Sequence, residues 1–194
     1  MTRKMSLNSC WIIAVVLLMV SGCSRTYRTP DYTNQMMDFA AVRSVAVLPF
    51  HNLSGDEKAG ERVRDTFMGM LLATDSIYAL PPGEVARGIN RAGWRLPYAP
   101  TIEEVVKLQS ILEVDAVITG VVREYGVVRS GSAQANLVSL SLQMMETQTG
   151  STVWAGSSTK GGITLAARML GTGGRPMNDV TIQVINDLLD QLFE

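Results

Sequence analysis

Apolar residues recur along this chain with two periods, one suited to strands and one to helices. Val42 to Phe50 is a short run rich in β-branched residues and closed by Pro49, the pattern of a buried strand. Ser54 and Glu57 follow at the spacing of a capping box. Val63, Phe67, Met70 and Leu71 then fall at i, i+4, i+7 and i+8, which predicts a helix to about Thr74 with one face toward a sheet. Glu61, Arg62, Arg64 and Asp65 are left to face solvent. Ser76 to Leu80, stopped by Pro81 and Pro82, reads as a second strand, and strand, helix, strand favours a parallel pair with a right-handed crossover.

The second half changes period. A short helix is expected from about Pro82 to Ile89, then a loop holding Trp94 and two prolines. Thr101 and Glu104 make a second capping box, ahead of a helix striped by Ile102, Val105, Val106 and Ile111 or Leu112. Val114 to Val128 reads as a long strand with Gly120 and Gly126 as bend or bulge points. In the next strand Val138, Leu140, Leu142 and Met144 point one way and Ser139, Ser141 and Gln143 the other. A turn at Thr147 to Gly150 leads into Thr152 to Thr159, and these three strands should form an antiparallel meander with one wetter face. A helix from about Asn178 to Phe193, striped by Ile182, Ile185, Leu189 and Leu192, closes the order β-α-β-α-α-β-β-β-α. That order predicts an α/β (α+β) fold, a mixed sheet with helices packed against it.

The amino terminus fits neither period. Arg3 and Lys4 precede an unbroken apolar run from Cys10 to Val20. At about 1.5 Å per residue, such a helix reaches only about half of a roughly 30 Å hydrocarbon core. A positive start, a short apolar stretch and small residues before a cleavage point describe a secretory signal. Val20-Ser21-Gly22-Cys23 resembles the lipobox of bacterial lipoproteins, which implies cleavage before Cys23 and acyl and diacylglycerol groups on its thiol and new amino terminus. An ordinary signal peptide with a chance cysteine is the alternative. Two or three acyl chains, at about 0.8 kcal/mol per buried methylene, anchor stably where one does not. Ser24, in place of Asp, favours the outer membrane by the same resemblance. The expected organisation is a signal over residues 1–22, a lipidated tether over 23–41 and an envelope domain over 42–194. The tether has no sustained period and contains Thr29-Pro30-Asp31, although Tyr27, Tyr32, Met36, Met37 and Phe39 could pack on the domain or on a neighbour.

Composition adds exclusions. The chain has 194 residues, formal charge −1, two cysteines and one histidine. Near-neutral charge argues against a nucleic-acid binder, and that Cys and His count leaves little for zinc. Cleavage would remove Cys10, Arg3 and Lys4, leaving 172 residues of charge −3 with no free thiol and no possible disulfide. No metal or other cofactor is expected, and no catalytic residue. His51 is the only histidine, no Gly-x-Ser-x-Gly elbow accompanies it, and Asp56-Glu57 and Glu103-Glu104 lie in first helical turns, where negative charge complements the helix dipole.

Val45-Ala-Val-Leu-Pro-Phe50, the Asn52-Leu-Ser-Gly55 turn, Val114-Asp-Ala-Val-Ile-Thr-Gly120 and Thr147-Gln-Thr-Gly-Ser-Thr-Val-Trp154 together resemble a bacterial envelope superfamily. It includes the curli secretion channel lipoprotein, a branch of small lipoproteins and the outer-membrane activators of penicillin-binding proteins. The resemblance implies a lipid-anchored α/β domain at the periplasmic face of the outer membrane, a homo-oligomer that works by binding envelope proteins during assembly, secretion or transport. A regulator of a peptidoglycan synthase is the alternative, and an envelope enzyme a third. The curli channel builds its pore from two long hairpins per subunit; here Glu124 to Asn136 is too short for membrane-spanning strands, and Gly161 to Met177 is glycine-rich without alternation. Neither nucleic acid nor a small-molecule substrate is expected. The sheet edge and the stretch Gly161 to Gly174 are the candidate contact surfaces.

Overall fold

The computed structural model describes residues 31–34, 41–163 and 174–193. Eleven elements follow in order: β1 (Tyr32–Thr33), β2 (Ser44–Val47), β3 (His51–Asn52), α1 (Ala59–Ala73), β4 (Tyr78–Ala79), α2 (Pro82–Ala92), α3 (Ile102–Leu112), β5 (Ala116–Ser130), β6 (Ala133–Glu146), β7 (Thr152–Gly161) and α4 (Met177–Phe193). Within this sequence lies the expected β-α-β-α-α-β-β-β-α, with β1 and β3 added. The strands form one mixed sheet in the order β1-β7-β6-β5-β2-β4, with β3 also beside β5. β2 runs parallel to β4 and β5, and β5, β6 and β7 form the antiparallel meander.

Helices cover the two faces unequally. On one face α1 and α4 bury Phe67, Leu71, Val184, Ile185 and Leu188 against Val45, Val47, Ile118, Leu140, Met144 and Trp154. The alternation read for β6 is fully realised, because Val138, Leu140, Leu142 and Met144 are all buried on this side. On the other face α2 and α3 place Val85, Ile89, Val105 and Leu108 over Ala46, Leu48, Val117 and Met145. That second cluster ends where Thr119, Ser141 and Ala155 begin, and among the described residues no helix lies over the far half of the face.

Polar contacts hold the strand ends in register. The Asp115 carboxylate accepts from the backbone N–H of Arg43 and Ser44 and from the Ser44 hydroxyl at 2.9–3.0 Å, joining the starts of β2 and β5. The buried Thr147 hydroxyl donates to the carbonyls of Val114 and Asp115. Where β2 ends, Arg64 reaches across from α1 and donates to the carbonyls of Val47, at 2.6 Å, and Leu48, at 3.0 Å. It is therefore half-buried rather than turned to solvent as expected, and its desolvation lowers the guanidinium pKa.

Several local expectations are corrected. Ser54 and Glu57 form no capping box: the α1 N-cap is Lys58, and Ser54 donates to Asn52 Oδ1 inside a turn that Asn52 organises. The second capping box, Thr101 with Glu104, forms in full. The α3 stripe is rotated from the one read, burying Val105 and Leu108 while Ile102 is 56% exposed, because Ile102 sits at the first helical position beside the Gly150 turn. On α4 the buried stripe is Val184, Ile185, Leu188 and Leu189, with Ile182 half-buried. The β5 bulge falls between Val122 and Glu124, not at a glycine. Gly120 serves packing instead, because a Cβ there would lie 2.6 Å from the Phe50 ring.

Candidate binding face

The half of the sheet face with no described helix over it carries hydroxyl, amide and guanidinium groups among small apolar side chains. Strands β5, β6 and β7 contribute Thr119, Val121 and Arg123, then Ser141 and Gln143, then Ala155 and Ser157, and Tyr32 of β1 with the preceding Asp31 closes the rim. They enclose a shallow groove of about 510 Å³. Hydrogen bonds fix polar side chains in and around it: Arg123 Nε donates to Ser141 Oγ at 3.1 Å, Gln143 Nε2 to Thr152 Oγ1 at 2.5 Å, and Ser139 and Thr159 share a hydroxyl contact of 2.8 Å. Arg123 uses only Nε in that contact, and its exposed guanidinium keeps donors for a ligand. Tyr32, 53% exposed, offers an aromatic surface beside them.

The opposite side of β7 is tied down. Ser158 donates to Asp187 of α4 at 2.5 Å and Lys160 pairs with the same carboxylate at 3.0 Å, so those groups hold the helix to the sheet. A second groove of about 530 Å³ lies between the carboxyl ends of α1 and α4, lined by Met70, Ala73, Leu189 and Phe193 among others.

The singled-out residues do not converge on the open face. Cys23 lies outside the described residues, as does most of the Gly161 to Gly174 stretch. Of that stretch Gly161–Ile163 and Gly174 are described, with Gly162 donating to the Asn136 carbonyl and, beside them, Asn136 Nδ2 to that of Arg175. His51 stacks on Tyr98 with ring centroids 4.3 Å apart, away from the groove. Asp56 accepts from Lys58 N–H and pairs with Arg62, and Glu104 completes the α3 cap, so both serve helix starts. Glu103 has its pKa lowered by hydrogen bonds to backbone and to Thr101. Among the described residues no three His, Cys, Asp or Glu side chains gather at metal-binding distance, and no helix is long and apolar enough to cross a membrane. Such a surface can bind by hydrogen bonds and shape. The sequence announced it only through the polar positions of β6; which residues of β5 and β7 stand beside them depends on register.

The family model for GNA1162-like lipoproteins matches residues 31–194. Among solved structures, lipoprotein GNA1162 from Neisseria meningitidis aligns with TM-score 0.54 and 21% identity, covering 77% of this chain and 97% of that one. A PelC dodecamer from Paraburkholderia phytofirmans aligns with TM-score 0.57 and 13% identity, covering 84% and 95%. The hypothetical protein CT253 from Chlamydia trachomatis gives 0.55 and 10%, covering 78% and 96%. At these identities the likeness is one of fold. No curated protein sequence matches the chain.

Proposed function

The chain belongs to the GNA1162-like lipoprotein family, and from that premise we propose that it is a binding and assembly module anchored to the periplasmic face of the outer membrane through acyl groups on Cys23. The observation that carries the reading is the open half of the sheet. It belongs to the antiparallel meander, where one face commonly meets solvent, and among the described residues that face is accessible to a partner. Its rim is formed by Asp31 and Tyr32, eight residues after Cys23, so a tether of at most about 27 Å holds the groove close to the bilayer. Self-association is part of the proposal, and a dodecameric protein built on this fold supports it.

Fractionation of cells expressing the full chain tests the anchor. Cys23→Ala should leave the protein unprocessed or unlipidated and absent from the outer membrane; retention there would overturn the anchor. Light scattering on the processed chain in detergent tests assembly, with a mass above the monomer expected and a strict monomer counting against it.

A further inference from the structure

We propose that the outer side of β5 from Glu124 to Ser130 pairs antiparallel with the same stretch of a second copy, centred on Val127. The inference deepens the oligomeric reading above and rests on it. Along its lower half β5 is flanked by β2 at Ala116 to Ile118 and by β3 at Val121 and Val122. The last bond on that side runs from Leu53 N–H to the Val122 carbonyl. From Glu124 upward β5 pairs only with β6, and among the described residues no strand lies on its other side.

The hydrogen-bond pattern fixes which groups are open. The hairpin turns at Gly131 and Ser132, so Ser130 and Ala133 form its closing pair. From there the pairs that bond to β6 alternate through Val128 and Gly126, and Tyr125, Val127 and Arg129 turn their N–H and C=O outward. These three positions are symmetric about Val127. A two-fold axis through that residue therefore pairs Tyr125 with Arg129, Val127 with itself and Arg129 with Tyr125, and each open donor meets an open acceptor.

The side chains agree with that register. Arg129 stands across from an aromatic ring, the arrangement that favours a cation–π contact. Val127, 53% exposed on a hairpin otherwise guarded by charge, meets an identical valine. On the other face Val128 falls opposite Gly126, which has no side chain to crowd it. The stretch has neither proline nor lysine to block pairing, its charges being Glu124 and Arg129 alone. An isologous contact is complementary to itself by construction, and the length fits, because the second copy's turn would stop beside Leu53, itself 58% exposed.

The test uses the full processed chain in detergent. Val127→Pro removes one outward N–H and spares the β6 ladder, and Val127→Lys sets two like charges opposite each other. Each should lower the mass seen by light scattering. Separately, Val127→Cys treated with a short bismaleimide should give covalent dimer in at least tenfold the yield of Leu96→Cys, an equally exposed control. An assembled wild type whose mass neither variant changes, or whose Val127→Cys cross-links no better than the control, overturns the pairing and leaves the oligomeric reading intact. A monomeric wild type overturns both.

Discussion

At the scale of single residues, Asp115 couples the fold most directly to solution conditions. Burial alone would raise its pKa, but the N–H of Arg43, the hydroxyl and N–H of Ser44 and the charge of Arg43 outweigh that, so the carboxyl titrates below its usual range. A group whose folded pKa is depressed contributes stability that is complete above its unfolded pKa, about 3.9, and is lost as pH falls through the folded value. Asp115→Ala removes all three acceptor contacts and should cost about 2 kcal/mol at neutral pH. Asp115→Asn keeps the shape without the charge. Urea unfolding should show it weaker than wild type at pH 7, with the gap narrowing toward pH 3; a gap independent of pH would refute the assignment. The core shows the same economy of means at Gly120, whose missing side chain admits the Phe50 ring.

At the scale of elements, two capping boxes with the same sequence spacing had different outcomes, and the reason is physical. Thr101 is followed directly by α3, and both reciprocal bonds form, from Glu104 N–H to Thr101 Oγ1 and from Thr101 N–H to Glu104 Oε2 at 2.8 Å. Ser54 sits instead in a turn whose backbone is already satisfied by Asn52, which accepts from Ser54 and donates to the carbonyls of Asp56 and Glu57. Thr101→Ala should therefore lower stability by about 1 kcal/mol, and Glu57→Gln should leave it unchanged within about 0.5 kcal/mol. Equal losses in thermal unfolding would show that the distinction is wrong. Period and punctuation made the main strands, the four helices and the parallel β2–β4 pair legible in advance. They could not supply β1 or β3, each only two residues long and defined by pairing with a distant strand, nor the α3 face, which depends on what Gly150 brings beside Ile102. The open face was half legible for the same reason: alternation in β6 gave a polar side, and the neighbours completing it came from register.

At the scale of the whole molecule, sheet order and the proposed anchor together predict an orientation. β1 and β4 are the two ends of the sheet, five interstrand steps apart, or about 24 Å at the usual spacing of about 4.8 Å. The chain enters at β1, and the run from Cys23 to Asp31 reaches at most about 27 Å, so the β7 side is held near the bilayer while the β4 side can stand a full sheet width farther away. Acylated Cys23 would offer no thiol and Cys10 would depart with the signal, so one introduced cysteine could be labelled cleanly. A donor dye at Thr159→Cys on β7 should transfer energy to acceptor-labelled lipid headgroups more efficiently than one at Tyr78→Cys on β4, both positions being exposed. Equal transfer from the two edges would mean that the domain tumbles freely on its tether, and the reverse order would mean that the open groove faces away from the membrane. The expected order would place Arg123, Tyr32 and the hydroxyl-lined groove where a partner at the membrane surface meets them first.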